Sequence, residues 1–150
     1  LNPGWYIHKE GTQPAVRRVT DQLDAERIAI RKALGYAAPH FPLADHYDDA
    51  RDEWMYGNSS HERLVESGDW REELDLESHR YMLEDVAIGL SFLTSVGRYA
   101  SVPTPVADAL LSLGRTICKT NFLTTRGLEQ FDLHTLERAV LRRHLHEGFK

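Results

Sequence analysis

The chain has a single cysteine, Cys118, among its 150 residues. One thiol excludes an internal disulfide and any zinc site built from several cysteines, and it is typical of a reducing compartment, so we expect a cytoplasmic protein. No apolar run approaches the about 18 residues that a membrane span needs. Lysine and arginine number 18 against 23 aspartates and glutamates, which leaves a net charge of −5. That balance works against binding to a nucleic-acid backbone as the main activity.

Sequence motifs of several enzyme classes are also missing. There is no Gly-x-Gly-x-x-Gly, no P-loop and no Gly-x-Ser-x-Gly, so these residues supply neither a nucleotide cradle nor a nucleophile elbow. No His-Glu-x-x-His occurs, and His144 and His146 are two residues apart, which places them on different faces of a helix. Asp48, Asp49 and Asp52 match an Asp-Asp-x-x-Asp magnesium motif, but no second acidic motif accompanies them, which favours a solvated loop. We therefore predict no metal site.

The sequence does contain helical periodicity. Apolar residues recur at spacings of three and four from Val16 until Gly35 ends the pattern. The longest pattern of this kind runs from about Glu77 to Ala100. Alternation with a period of two, which is typical of a half-buried strand, is nearly absent. The sequence therefore predicts one all-α domain over residues 1–150, a bundle of about six to eight helices.

Asp85 is an unusual residue within the longest helical pattern. Steps of three and four along this pattern define one face, which consists of Met82, Asp85, Gly89, Phe92 and Val96. Because the other members are apolar or small, the spacing predicts that Asp85 faces the core. An ionised carboxylate buried without partners is costly, so this position is a site candidate. The alternative is a structural ion pair of Asp85 with Arg98 or Arg115.

Arg80 lies shortly before Asp85 and is open to two interpretations. It is four residues from Glu84, so the two side chains can pair on one helix face. An arginine beside a buried acid could instead hold a substrate carboxylate through its two-pronged guanidinium group. The residues alone leave both interpretations open.

The same region contains a series of short motifs. They are His79-Arg80-Tyr81, Glu84-Asp85-Val86, Gly89-Leu90, Gly97-Arg98 and Val102-Pro103-Thr104-Pro105. The series extends over most of the chain through Lys9-Glu10-Gly11-Thr12, Asp24-Ala25-Glu26-Arg27 and Arg126-Gly127-Leu128. Taken in their order along the chain, the motifs resemble the C-terminal helical domain of the octopine/nopaline, or opine, dehydrogenase family. The middle of the chain, from Asp45 to Trp70, departs from the family pattern, which leaves the substrate open.

The resemblance implies a fold similar to the C-terminal helical domain of 6-phosphogluconate dehydrogenase and one half of an oxidoreductase. In the family, an N-terminal Rossmann domain binds NAD or NADP, and the helical domain closes over it. Family members condense the amine of an amino acid with a 2-keto acid and reduce the resulting imine by hydride transfer. The sequence begins at Leu1 without an initiator methionine. We therefore expect the Rossmann domain and the family's catalytic histidine to precede Leu1 on the same polypeptide.

The resemblance also implies roles for individual residues. By position, Asp85 matches the family's aspartate, which orients and charges the catalytic histidine. Arg80 matches an arginine that faces the substrates, where it holds a carboxylate. These two are the predicted catalytic residues. His79, Tyr81 and Trp54 are weaker candidates for the wall of the substrate pocket.

Two other functions fit the residues. Helical domains of this kind also serve keto reduction without an amine, as in ketopantoate reductase and 2-hydroxyacid dehydrogenases. A non-catalytic helical dimerisation module is the second alternative; it gains nothing from a core-facing acid, so Asp85→Leu should stabilise it. A homodimer is possible in each case, and neither a nucleic acid nor a membrane is expected as a partner.

Overall fold

The computed structural model describes residues 11–47, 75–120 and 126–149, and every regular element in these ranges is helical. The elements are α1 (Pro14–Ala33), a 3-10 turn (Leu43–Tyr47), a π-helix (Tyr81–Leu90), α2 (Ser91–Ala100), α3 (Pro105–Cys118), a second 3-10 turn (Leu128–Phe131) and α4 (Arg138–Glu147). The all-α prediction is confirmed. The described ranges contain four α-helices, one π-helix and two 3-10 turns, whereas six to eight helices are expected of the whole chain. None of these helices combines the length and the apolar composition needed to cross a bilayer.

Helix α1 ends where the sequence predicts. Gly35 has a φ of +84°, a left-handed conformation that glycine adopts at little cost. Its N–H donates to the carbonyl of Lys32 at 3.0 Å, and the N–H of Tyr36 donates to the carbonyl of Arg31 at 3.0 Å. These two bonds satisfy carbonyl groups that the last turn of a helix otherwise leaves unpaired. They fix the direction in which the chain leaves α1.

The π-helix and α2 form one continuous helical segment over residues 80–100. Its buried side is made of small residues, which are Ala87, Ser91, Thr94, Ser95, Gly97 and Ala100. A Cβ atom on Gly97 would lie 2.8 Å from the side chain of Thr104 and 3.1 Å from the carbonyl oxygen of Val102. Glycine at this position therefore permits a close approach between the end of α2 and the chain that leads to α3.

The core is formed where α1, α2 and α3 pack on one another and the π-helix lies against α3. Its buried apolar residues are Ile30, Ala87, Ala100, Ala107, Leu111 and Leu128. Buried hydroxyl groups are satisfied close by: Ser91 donates to the carbonyl of Ala87 at 2.5 Å and Thr94 to that of Ser91 at 3.1 Å. Local hydrogen bonds of this kind allow polar side chains to lie in a core at little cost.

Helix α4 is attached to this core through polar contacts. The guanidinium group of Arg138 donates to the carbonyls of Ala33 at 3.1 Å and Ala100 at 3.0 Å. The hydroxyl of Tyr99 donates to the carbonyl of Leu136 at 2.8 Å, just before α4 begins. Arg138 thus joins the start of α4 to the carboxyl ends of α1 and α2.

Candidate functional site

The helical segment that carries the predicted site begins after a tight turn at Asp75. One carboxylate oxygen of Asp75 accepts a bond from the Ser78 hydroxyl at 2.6 Å, and the other accepts one from the Glu77 N–H at 3.1 Å. These bonds, with the Ser78 hydroxyl as the larger cause, lower the pKa of Asp75. An aspartate that bonds to its own following backbone is a frequent turn former. Asp75 therefore orients His79 and Arg80 at the head of the segment.

Arg80 pairs with Glu84 on the surface of the segment. The distance between the guanidinium and carboxylate groups is 3.3 Å, and the two side chains are 70% and 59% exposed. This confirms the predicted helix-surface pair. An exposed pair of this kind contributes about 0–1 kcal/mol, so another carboxylate could replace Glu84 at little cost. The guanidinium also lies 5.8 Å from the centre of the Tyr81 ring, within the range of a cation–π contact.

His79 and Tyr81 lie beside Arg80. Their rings meet edge to face with centroids 4.7 Å apart, and Nδ1 of His79 accepts a bond from the backbone N–H of Tyr81 at 3.2 Å. A neutral imidazole whose Nδ1 accepts carries its proton on Nε2. The structure therefore brings together a guanidinium group, a phenol ring and an imidazole within the first turn of the segment.

Asp85 lies on the same segment but does not face the core. It is exposed, as is Gly89, and Phe92 keeps 43% of its surface exposed. The prediction of a core-facing Asp85 is therefore wrong. The ion pair suggested as its alternative is also absent from the described residues, where Arg98 instead pairs with Glu129 at 3.1 Å. In the same ranges the carboxylate of Asp85 forms no ion pair.

The face selected by the spacing is present in the structure, but it is not the buried one. Asp85, Gly89 and Phe92 are exposed together, whereas the buried side of the same segment carries small residues such as Ala87 and Thr94. The pattern followed the larger apolar side chains and therefore selected the wrong side of the helix. The buried position in the π-helix is Ala87, with 3% exposure. An exposed carboxylate carries no large desolvation cost, so burial gives no reason to assign Asp85 a function.

The domain does contain a buried carboxylate, which sequence reasoning missed. Glu26 on α1 is 4% exposed. Its two oxygens accept bonds from the backbone N–H groups of Val106 at 2.8 Å and Ala107 at 3.1 Å, in the first turn of α3. Negative charge is stabilised at a helix N-terminus, so this group has a structural role. Its spacing from Leu23 and Ile30 on the apolar side of α1 was the signal that could have revealed it.

Arg98 and Glu129 form a further exposed pair between α2 and the second 3-10 turn. A backbone hydrogen bond within Glu129, followed by the Arg98 guanidinium, lowers the pKa of the Glu129 carboxyl. This pair engages the guanidinium group of Arg98, which the sequence suggested as a partner of Asp85. It fixes the turn at Leu128–Phe131 against α2.

Other sequence predictions fall partly or wholly on residues outside the described ranges. Trp54, the fifth predicted site residue, lies there, and so do the three aspartates of the Asp-Asp-x-x-Asp motif. Across residues 11–47, 75–120 and 126–149, no group of three or more histidine, cysteine or acidic side chains is arranged to hold a metal ion. The candidate site on the described residues therefore comprises His79, Arg80, Tyr81 and Asp85.

Comparison with known proteins links this chain to a family. Residues 2–118 match the model of the NAD/NADP octopine/nopaline dehydrogenase alpha-helical domain. The chain is also 34% identical over 141 residues to an opine dehydrogenase from Arthrobacter sp. (strain 1C). That alignment covers 89% of this chain but 37% of the relative, so the chain spans little more than a third of the relative's length. The matched residues include the candidate site.

Proposed function

The chain belongs to the NAD/NADP octopine/nopaline dehydrogenase family through its alpha-helical domain, and we propose that it completes the active site of an opine-dehydrogenase-like oxidoreductase. The proposed reaction joins the amine of an amino acid to a 2-keto acid with loss of water and reduces the imine to a secondary amine. Both substrates carry carboxylates. The observation that carries the proposal is the exposed face with Arg80 and Asp85, a cation and an acid open to groups outside this domain.

We assign NAD or NADP to an N-terminal Rossmann domain on the same polypeptide. The described residues contain no strand, and the sequence has no glycine-rich dinucleotide motif, so they do not fit the cofactor themselves. The 37% coverage of the opine dehydrogenase from Arthrobacter supports a larger protein of which this domain is one part. In this arrangement the helical domain contributes substrate contacts and excludes water from the imine.

Arg80 is proposed to bind a substrate carboxylate. Its side chain is 70% exposed and already holds the Glu84 carboxylate, so the geometry of a carboxylate contact is present in this domain. A substrate carboxylate would replace Glu84 in that contact, and closure of the two domains would strengthen the new pair by removing water. His79 and Tyr81, beside Arg80, are proposed to form part of the pocket wall.

Asp85 is proposed as the positioning residue for a histidine of the Rossmann domain. An aspartate bonded to one imidazole nitrogen fixes the ring and stabilises its protonated form, so that the other nitrogen can move a proton to or from the substrates. The exposure of Asp85 suits this role, because its partner would come from outside the domain. A carboxylate facing the core, as the sequence suggested, could not reach such a partner.

The test is Asp85→Asn in the full-length polypeptide, with Glu84→Gln as the matched control. Asparagine keeps the shape and removes the charge, so kcat/KM should fall by about 10²–10⁴-fold, whereas the control should stay within about threefold. The pH limb that reports the histidine should also move to lower pH, because the imidazolium loses its stabilising charge. An Asp85→Asn enzyme with unchanged turnover and an unchanged pH profile would refute the assignment.

One further assay separates the proposed reaction from simple keto reduction. NAD(P)H oxidation by a 2-keto acid is measured with and without an amino acid. The proposal predicts that oxidation depends on the amine, and amine-independent oxidation would identify a reductase of the ketopantoate or 2-hydroxyacid type. The third alternative, a non-catalytic dimerisation module, predicts no oxidation in either condition. Stabilisation by Asp85→Leu no longer distinguishes it, because Asp85 is exposed.

A further inference from the structure

A cleft lies far from the candidate site, between the carboxyl end of α1 and α4. It encloses about 810 Å³, and its lining includes Tyr36, Tyr99, Leu141 and Leu145. We call it the α1–α4 cleft. Tyr99 is 19 residues beyond Arg80 on one helical segment, which separates the two sites by roughly 25 Å along the axis. The volume is within the range of about 300–1,000 Å³ that small-molecule sites occupy.

The lining of this cleft is mainly apolar. Leu145 is 62% exposed and Tyr36 is 52% exposed, although both are large apolar side chains on the wall of a concave surface. Covering such surface gains about 25 cal/mol for each Å² removed from water. The cleft therefore offers its most favourable contacts to a ligand with an apolar body.

The charged side chains that line the cleft are both arginines. Arg138 and Arg142 lie four residues apart on α4, and His146 follows at the same interval. No aspartate or glutamate lines the cleft, although acidic residues outnumber lysine and arginine in the chain by 23 to 18. Residues at intervals of four share one helix face, so this stripe borders the apolar wall along its length.

Arg138 and Arg142 differ in the groups that offset their positive charges. Arg138 donates to the last turns of two helices, at Ala33 and Ala100. Each helix C-terminus is equivalent to roughly half a negative charge, so together they offset the charge of Arg138. Within the described residues no ion pair or hydrogen bond engages the guanidinium group of Arg142. Among the residues that the structure describes, Arg142 is therefore an arginine on the cleft wall whose charge no acid or carbonyl group offsets.

We propose that the α1–α4 cleft binds a small organic carboxylate with an apolar body. The carboxylate lies on Arg142, and the body covers Leu145 and Tyr36. A neutral apolar molecule lacks the charge for Arg142, and an inorganic anion lacks the body for the apolar wall. This site is independent of the proposed redox function, because no residue is shared between the two.

The probe for this site is sodium octanoate, added to the full-length polypeptide without amino acid, keto acid or nicotinamide nucleotide. Binding is followed by NMR shifts of the Leu141 and Leu145 methyl groups. Octanoate should bind more tightly than hexanoate, by up to about 15-fold for two more buried methylenes, and more tightly than octanol. Arg142→Gln should weaken octanoate about fivefold or more and leave octanol unchanged. The matched control is Arg143→Gln, because Arg143 is adjacent but does not line the cleft.

Several results would overturn the proposal. One is that octanoate leaves both leucine methyl signals unmoved. A second is that octanol binds as tightly as octanoate, and a third is that Arg142→Gln binds octanoate as tightly as the parent protein does. Sedimentation analysis adds another outcome: a dimer that Leu145→Glu dissociates would show that a second copy of the chain covers the cleft. Turnover by Arg142→Gln should equal that of the parent enzyme, so failure here is separate from failure of the redox assignment.

Discussion

Replacing Glu26 by alanine should destabilise the domain, because this side chain of α1 caps a different helix. The first four N–H groups of a helix have no partner within it. In α3 two of these, on Val106 and Ala107, depend on the Glu26 carboxylate. Glu26 is 4% exposed, so water has poor access to the two N–H groups that its removal would leave. The contact also joins residues 80 apart in the sequence, and its loss would loosen α1 from α3.

The magnitude follows from these two bonds. A hydrogen bond to a charged group contributes roughly 1.5–3 kcal/mol, so the pair contributes about 3–6 kcal/mol before desolvation of the carboxylate is subtracted. The favourable interaction with the α3 N-terminus adds about 0.3–1 kcal/mol. We expect a net loss of about 2–4 kcal/mol for Glu26→Ala. Glu26→Gln keeps the shape and one acceptor oxygen, and about 1–2 kcal/mol should be lost.

Denaturant unfolding measures both losses, provided the slope of the free energy against denaturant is unchanged. For a chain of about 150 residues each kcal/mol lowers Tm by roughly 2–4 °C. The control is Glu77→Ala, which removes an exposed partner of Lys119 at 3.6 Å and should cost less than about 1 kcal/mol. Hydrogen exchange at Val106 and Ala107 should accelerate in Glu26→Ala. A loss below about 0.5 kcal/mol would refute the reasoning.

Two further predictions concern packing and pH. Gly97→Ala should cost about 1–3 kcal/mol of unfolding free energy, because the added methyl group would lie 2.8 Å from the Thr104 side chain. Gly89→Ala is the control: its methyl group would lie 3.7 Å from the nearest atom, so it should be neutral or stabilising by up to about 1 kcal/mol. Equal effects of the two substitutions would contradict this difference. Desolvation, followed by the charges of Arg31, Lys32 and Arg27, lowers the pKa of His40 from 6.5, so an NMR titration should place its midpoint below that value. Because the folded pKa of His40 is depressed, its contribution to stability is complete above pH about 6.5 and is lost as pH falls through the folded pKa. His40→Gln should therefore reduce the loss of stability at acid pH. A titration midpoint at or above 6.5 would contradict the inference.

The sequence predicts α1 well because that helix has the 3.6-residue turn that spacings of three and four assume. Its apolar residues follow the regular turn of an α-helix, and Gly35 ends it with the bonds expected of a left-handed cap. The pattern fails for Asp85 because the buried side of its helical segment is made of small residues such as Ala87 and Thr94, whereas the large apolar Phe92 is exposed. Hydrophobic spacing gives small residues little weight, so it selected the wrong side. The surface pair of Arg80 and Glu84 was predicted correctly because residues four apart remain neighbours in an α-helix or a π-helix.

Glu26 and Asp85 show that an acid on an apolar helical pattern can be buried in one helix and exposed in another. Each acid lies on an apolar helical pattern, and burial was inferred for Asp85, although Glu26 is the buried one. The role proposed for Asp85 therefore depends on the family motif and on its exposure, and no longer on burial. This exposure makes the functional test cleaner. Had Asp85 been buried, removing its charge would have altered stability and turnover together. Because Asp85 is exposed, Asp85→Asn should change turnover with Tm unchanged. Glu26→Gln should lower Tm, and the folded fraction of that variant should keep its kcat. If both variants lowered Tm and turnover in parallel, the separation of a structural carboxylate, Glu26, from the proposed positioning carboxylate, Asp85, would be wrong.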